Sequence, residues 1–150
     1  MSSDFPDQPS REELKERFKQ ESKVGMVFKS FSKVAGKEKY FVVVGVSGDQ
    51  LLVGHVLINS RINKNFSSTP ELETLHIPIY ARDYAFLHHD SYIDCRRLHD
   101  MDFLRIEDMY IKNKGKYKGC LNDEHICILK HTITNSKTIK PKQKKKYGYL

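Results

Sequence analysis

The sequence predicts an α+β fold: a small, curled antiparallel β-barrel with a helix before it and one or two helices after it. Short apolar stretches rich in β-branched residues fill the middle of the chain, and stretches with helical spacing lie towards both ends. At 150 residues the chain is long enough for one hydrophobic core and too short for two. We therefore divide it into a disordered N-terminus at 1–9, a single barrel domain at 10–135 and a flexible basic tail at 136–150.

The N-terminal helix is predicted over 11–22. Ser10 precedes Glu13 by three residues, which is the spacing of a capping box. Leu14 and Phe18 lie four apart and therefore share one face of the helix. We expect this narrow apolar stripe to pack on the barrel.

The strands follow from a change of period at Val24, where apolar residues begin to alternate. A charged loop at 31–39 separates this strand from a continuous apolar run, which is typical of a strand buried on both faces. Turn residues at 47–50 predict a hairpin, and Gly54 in its second strand indicates a bulge or sharp bend. Pro78 favours an edge position for a later strand, and 91–101 fits one bent strand or two short ones. The predicted strands cover 24–29, 40–46, 51–58, 74–80 and 91–101.

The C-terminal part of the domain is predicted to be helical. A short helix fits 103–111, a glycine- and lysine-rich connection follows at 112–119, and Asn122 can cap a helix that runs to about 134. Short strands that close on themselves beside a helix predict an SH3-like barrel.

Charge and composition exclude few classes of function. The net charge is +7, but six lysines and no acidic residue lie in 136–150, and without them 20 basic residues stand against 19 acidic ones. The basic character therefore belongs to the tail and does not by itself indicate nucleic-acid binding. No apolar run reaches the roughly 20 residues of a membrane span, and the start of the chain lacks the pattern of a signal peptide. With three cysteines, an odd number, we expect reduced thiols and a cytoplasmic protein without membrane contact.

Five segments carry a likeness to a known family. They are VGMV at 24–27, KYFVVV at 39–44, INS at 58–60, SYIDCRRL at 91–98 and a glycine-led segment at 119–129. Together they resemble the MazF/PemK toxin family, as a divergent member. The resemblance implies a homodimeric growth-inhibiting toxin that cleaves single-stranded RNA without metal or cofactor and is paired with an antitoxin.

The resemblance also implies candidate catalytic residues. Lys39 stands where the family has the arginine of an Arg-Pro pair, which keeps the charge and loses the two-pronged grip on phosphate. Ser60 preserves a hydroxyl that follows the third strand. Asp94 and Arg96 flank Cys95 in the reverse of the family's order, and alternate strand residues share a face. They form either an acid/base-plus-cation pair or an ordinary surface ion pair.

Histidines add candidates for proton transfer, because imidazole titrates near neutrality. His55, on a predicted strand after Gly54, ranks first, with His88, His89 and His99 in reserve. A second group of potential ligands comprises Cys120, His125, Cys127 and His131. Its spacing does not match paired zinc ligands, so we predict no metal site.

The remaining candidates would bind nucleic acid rather than transform it. Aromatic residues of an open barrel face can stack bases, and Tyr92 and Phe66 are better candidates for exposure than Tyr40, Tyr84 and Phe86. Basic side chains can bind phosphates in a salt-sensitive way. The candidates are Lys33, Lys37, Arg97, Lys144, Lys145 and Lys146. An alternative to the nuclease is therefore a non-catalytic module on the same barrel that binds nucleic acid or a protein partner.

Overall fold

A computed structural model describes residues 8–33, 35–62, 69–112 and 114–150. Within these ranges the chain forms an α+β fold with a six-stranded antiparallel sheet and five α-helices. The predicted N-terminal segment 1–9 lies outside the described residues apart from its last two positions. The strands are β1 Met26–Ser32, β2 Lys37–Val46, β3 Leu52–Asn59, β4 His76–Ile79, β5 Ser91–Asp102 and β6 Tyr117–Cys120. The helices are α1 Arg11–Gln20, α2 Pro70–Glu73, α3 Phe103–Lys112, α4 Asp123–Asn135 and α5 Pro141–Lys146, with a 3₁₀ turn at Ala81–Asp83.

Side-chain caps fix where three of the helices begin. Ser10 accepts a hydrogen bond from the Glu13 amide at 3.1 Å, and Asn122 accepts one from the His125 amide at 2.8 Å. Thr69 caps α2 in the same way, and these bonds satisfy amides that have no partner inside the helix. No described helix combines the length and the apolar composition that a bilayer span requires.

The sheet has the order β4-β5-β3-β2-β1-β6, and β4 and β6 lie at its edges. Three ladders contain register shifts, which bend the strands and curl the sheet into a half-barrel. Pro78 lies on an edge strand as expected, and 91–101 belongs to one long strand, β5. The short strand β6, which the sequence did not predict, follows Gly115 and contains Gly119, and both glycines have a positive φ.

Each face of the sheet carries its own hydrophobic cluster. On one face, α1 and α3 cover aromatic and aliphatic side chains, and Phe18 and Phe28 are fully buried there. On the other face, α4 and the C-terminal segment cover a larger cluster that includes Leu129 and Ile133. We call these the α3 face and the α4 face. Successive strand residues alternate between them, so one sheet needs both layers of helices.

The segment 136–150 differs from the flexible tail that its lysines predicted. Ile139 and Tyr147 are 3% and 5% exposed, and the chain between them forms α5. Side chains of the segment donate to carbonyl groups of β5, including Thr138 to Arg96 and Gln143 to Leu98. The lysines are therefore attached to apolar residues that pack on the α4 face, and a count of charges does not detect these anchors.

Gly45 and Gly54 face each other across β2 and β3 and form a notch for Tyr147. A Cβ atom on Gly54 would lie 2.9 Å from ring atoms of Tyr147, and one on Gly45 would lie 3.0 Å from its carbonyl oxygen. The Tyr147 hydroxyl donates to Asp100 on β5. The register shifts beside both glycines agree with the predicted bulge, but the close approach of a C-terminal ring was not predicted.

Candidate nucleic-acid site

A row of polar side chains crosses the α3 face of the sheet. In sheet order from one edge it comprises His76 on β4, Asp94 on β5, Asn59 on β3, Lys39 on β2 and Ser30 on β1. His76 pairs with Asp94, and Ser30 pairs with Lys39, in the strand registers. Directly paired residues of antiparallel strands have side chains on the same face. We call these five residues the polar row.

Asn59 links the lysine to the aspartate. Lys39 Nζ donates to Asn59 Oδ1 at 2.6 Å, and Asn59 Nδ2 donates to Asp94 Oδ2 at 3.2 Å. Burial, with a contribution from Lys37, lowers the pKa of Lys39, and Asp94 opposes part of that shift. A lysine with a lowered pKa gives up its proton more readily than an exposed lysine does.

Arg96 grips Asp94 with two parallel hydrogen bonds. Arg96 Nε lies 3.0 Å from Asp94 Oδ1, and Arg96 Nη2 lies 2.9 Å from Asp94 Oδ2. The Arg96 backbone amide also donates to Oδ1, at 3.0 Å. Burial raises the pKa of Asp94, but these bonds and the charge of Arg96 outweigh burial and hold that pKa below its usual value. Asp94 is therefore an anion at neutral pH, and Arg96 is a cation whose pKa it raises.

Strand alternation explains why these two charges meet. Cys95, between them, points into the α4 face, where it is fully buried and burial raises the pKa of its thiol to about 12. Asp94 and Arg96 consequently project together from the α3 face. Their side chains are 13% and 27% exposed, so the pair is reachable from solvent through the arginine.

A third cation lies at the β1 end of the polar row. Arg105, exposed on α3, donates from Nη2 to Ser30 Oγ at 3.3 Å. Arg105, Lys39 and Arg96 thus bring three positive charges to the row against the single carboxylate of Asp94. This excess of positive charge favours an anionic ligand.

His76 belongs to the row but was not among the sequence candidates. Its Nδ1 lies 2.9 Å from the carbonyl oxygen of Leu72, and its Nε2 lies 3.8 Å from Asp94 Oδ1. The side chain is 2% exposed. Its position depends on the register of β4 against β5, which the sequence pattern does not specify; the HIPI alternation itself was the only available signal.

His55, the first-ranked histidine, lies outside the hydrogen-bonded row. It is 6% exposed, and its ring lies 4.7 Å from that of Phe41 and 5.5 Å from that of His99, between centroids. Burial, with the nearby His99, lowers the pKa of His55 to about 4. Burial also lowers the pKa of half-buried His99. His88 and His89 are exposed in the loop before β5.

The other predicted binding residues lie around the row at different levels of exposure. Ser60 is exposed and directly follows the end of β3, one residue beyond Asn59. Lys37 is exposed two residues before Lys39 on β2, and Lys33 is exposed after β1. Tyr92 is half-buried and pairs with Asn59, so its ring lies beside the end of β3. Arg97 is exposed and follows Arg96 on β5.

Two of the three C-terminal candidate lysines contact other groups of the protein. Lys144 Nζ donates to the Thr134 carbonyl at 2.8 Å, and Lys146 Nζ lies 3.4 Å from an oxygen of Asp100. Lys145 is exposed. All three belong to α5, on the opposite side of the sheet from the polar row.

Several of the aromatic and metal-ligand candidates make contacts within the fold. Tyr40 packs against Phe86 and donates to its carbonyl oxygen, and the Tyr84 hydroxyl lies 2.5 Å from His125 Nδ1. Phe66 lies outside the described residues. Cys120 and Cys127 are exposed and His131 lies at the end of α4 near Asn135. In the described ranges, no three His, Cys, Asp or Glu side chains are placed to hold a metal ion.

The polar row, with the adjacent Arg96 and Arg105, can therefore bind an anion through arginine and lysine, accept a proton at a carboxylate and donate one from a lysine. These are the functions that a phosphodiester requires of a protein that binds or cleaves it. Comparison with known proteins adds no assignment, because neither a protein-family model nor a curated protein matches this chain.

Proposed function

We propose that this protein is a MazF/PemK-like endoribonuclease that cleaves single-stranded RNA at the polar row without a metal ion. One observation supports the proposal above all others. Lys39 on β2 and the Asp94–Arg96 pair on β5 are joined through Asn59 on β3 into one hydrogen-bonded group. A phosphodiester placed over this group would meet a cation, a carboxylate and a proton donor together.

The chemistry follows from the charge states of the three side chains. Asp94, an anion at neutral pH, takes the proton of a ribose 2′-OH as that oxygen attacks the neighbouring phosphorus. Arg96 stabilises the negative charge that develops on the non-bridging phosphate oxygens. Lys39 gives its proton to the 5′-oxygen as the P–O5′ bond breaks. The products are a 2′,3′-cyclic phosphate and a 5′-hydroxyl, and one proton moves from RNA to Asp94 while another moves from Lys39 to RNA.

Two further candidates have different roles in this scheme. Ser60, exposed beside Asn59, would hydrogen-bond the substrate. Burial lowers the pKa of His55 to about 4 and leaves its side chain 6% exposed, packed against Phe41, so it is a weak base with little access to RNA and instead supports the sheet beneath the row.

The test is incubation of the purified protein with a mixed single-stranded RNA in the presence of EDTA. The wild type should generate ends that carry a cyclic phosphate. Lys39→Met removes the proton donor but keeps the length of the side chain, and cleavage should fall about 100-fold or more, the usual effect of losing a general acid. Lys130→Met, which changes an exposed lysine of α4 on the opposite side of the sheet, is the control and should retain most of the activity. Absence of cyclic-phosphate ends in the wild-type digest would refute cleavage.

A non-catalytic RNA-binding module is the second candidate. Asp94 already accepts four hydrogen bonds, which fills the acceptor capacity of a carboxylate and weakens it as a base. In that case Lys39→Met would weaken the binding of a fluorescent single-stranded RNA, while intact RNA would be recovered after every incubation.

The family likeness adds a homodimer, an antitoxin and a cytoplasmic site of action to the proposal. Light scattering of the purified protein tests the dimer. Growth of cells that express it, with and without the Lys39→Met change, tests toxicity. If wild-type expression leaves growth unchanged, the toxin part of the proposal fails independently of RNA binding.

A further inference from the structure

His76 holds a buried nitrogen that has no hydrogen-bond partner among the described residues. The carbonyl oxygen of Leu72 can only accept, so the Nδ1 atom 2.9 Å from it carries a hydrogen. In neutral imidazole the other nitrogen, Nε2, is then a bare acceptor. That atom is buried, is unsatisfied and lies 3.8 Å from the carboxylate oxygen Oδ1 of Asp94. Two acceptors therefore face each other, and a proton on Nε2 would turn this repulsion into an ion pair.

Asp94 has no free place for a further donor. Arg96 supplies three of its hydrogen bonds and Asn59 the fourth. A carboxylate has about four lone-pair positions, so a hydrogen on His76 Nε2 must displace an existing donor. On Oδ1 the competing donors are the backbone amide and Nε of Arg96, and only the side chain can swing away. Arg96 is the more exposed partner of the pair, at 27%, and has solvent to swing into.

We propose that proton binding at His76 and phosphate binding at Arg96 are coupled through Asp94. When His76 is neutral, Arg96 is held on Asp94. When His76 is protonated, it takes over Oδ1, and the freed guanidinium can grip a phosphate with both arms. By reciprocity, a phosphate that draws Arg96 off Asp94 leads His76 to take up a proton. His76 is thus a positioning residue that sets whether the polar row is open to an anion.

The charged groups around His76 support a higher affinity for phosphate when His76 is protonated. On β5 it meets Asp94 and, beyond it, Arg96. Lys39 on β2 connects to the same carboxylate through Asn59, and the titratable residues of α2 are the exposed Glu71 and Glu73. Protonation changes the local charge by one unit towards positive, which favours an anion. The affinity for a phosphate backbone should therefore be higher at acidic pH than at alkaline pH.

The coupling can be tested first without any ligand, by NMR. The Cε1–H resonance of His76 and the Nε–H resonance of Arg96 are followed from pH 8 to pH 5 in the wild type. Both should move with one midpoint, and His76→Asn should abolish the Arg96 transition while keeping a donor for Leu72. His88→Asn changes an exposed histidine of the loop before β5 and is the control that should keep it. An Arg96 resonance that stays constant while His76 titrates would overturn the inference, and the wild-type spectra alone decide this if His76→Asn does not fold.

The second measurement uses a 2′-O-methyl RNA oligomer, which has no attacking hydroxyl and is not cleaved. Its Kd should fall about fivefold or more between pH 8 and pH 5, at the low end of typical coupling, and should stay flat in His76→Asn. The inference rests on the proposed function only for the identity of the anion. If the oligomer binds at no pH but the ligand-free resonances move together, the proposed function fails and the coupling stands; binding with the same pH dependence in both proteins would refute the coupling.

Discussion

At the scale of the residue, sequence patterns placed the Asp94–Arg96 pair of the candidate site on one face but did not identify the residues around it. Asp94 and Arg96 were identifiable because alternation on a strand places residues two apart on one face, and this rule needs no knowledge of the rest of the fold. Asn59 and His76 escaped detection. Each gains its role from a residue distant in the chain, through pairings of β3 and β4 with β5 whose register only the folded sheet defines.

The burial of His55 predicts how the stability of the protein depends on pH. In the folded protein burial lowers its pKa to about 4, whereas the unfolded chain binds the proton near pH 6.5. Its contribution to stability is therefore present above pH 6.5 and is lost as the pH falls towards 4, by on the order of 3 kcal/mol. Urea unfolding at pH 7.5 and pH 4.5 should show a smaller loss for His55→Leu than for the wild type. His88→Gln, which changes an exposed histidine, should behave like the wild type, and equal losses in all three proteins would contradict the assignment.

Gly54 gives a second prediction at this scale. A methyl group at Gly54 would lie 2.9 Å from the Tyr147 ring, closer than packed atoms tolerate. Gly54→Ala should lower the free energy of unfolding by about 1–3 kcal/mol through overpacking. Gly48→Ala, where a Cβ meets nothing within 4 Å, is the matched control for the loss of a glycine. Urea denaturation of both variants measures the difference, and equal midpoints would show that Tyr147 does not occupy the notch in solution.

At the scale of the element, the sequence predicted helices and strands where residues close together in the chain determine them. The hairpin of β2 and β3 follows from an apolar run and turn residues, and α1 and α4 begin at the caps that Ser10 and Asn122 predicted. The strand β6 was not predicted, because a four-residue strand that contains a glycine carries little pattern and gains its structure by pairing with β1. The helix α5 was not predicted because its lysine-rich composition is typical of a disordered segment.

Removal of the C-terminal segment should therefore destabilise the whole protein. Truncation after residue 136 would expose the surface that Ile139 and Tyr147 now cover, at a cost of roughly 3–5 kcal/mol for the two side chains. Thermal unfolding followed by circular dichroism measures the effect. A triple change of Lys140, Lys142 and Lys145 to Gln alters only exposed residues and should keep the wild-type Tm. A truncated protein as stable as the full chain would instead support the flexible tail that composition predicts.

At the scale of the whole molecule, positive charge is divided between two sides of one sheet. The polar row lies on the α3 face, and the lysines of α5 lie on the α4 face, so one short RNA does not contact both directly. If the row binds the RNA, Arg105→Gln should weaken binding and reduce its dependence on salt. The triple lysine-to-Gln variant should leave both largely unchanged. Titrations at several salt concentrations distinguish the two surfaces, and the opposite ranking would move the interface to α5.

The notch of Gly45 and Gly54 has a consequence for related chains. The sheet lacks side chains there, and a ring from near the other end of the chain supplies the missing volume. Positions 45, 54 and 147 should thus vary together in evolution: a homologue without an aromatic residue at 147 should carry larger side chains on the strands. In the same way, a chain that restores bulk at 54 should survive only with a smaller residue at 147.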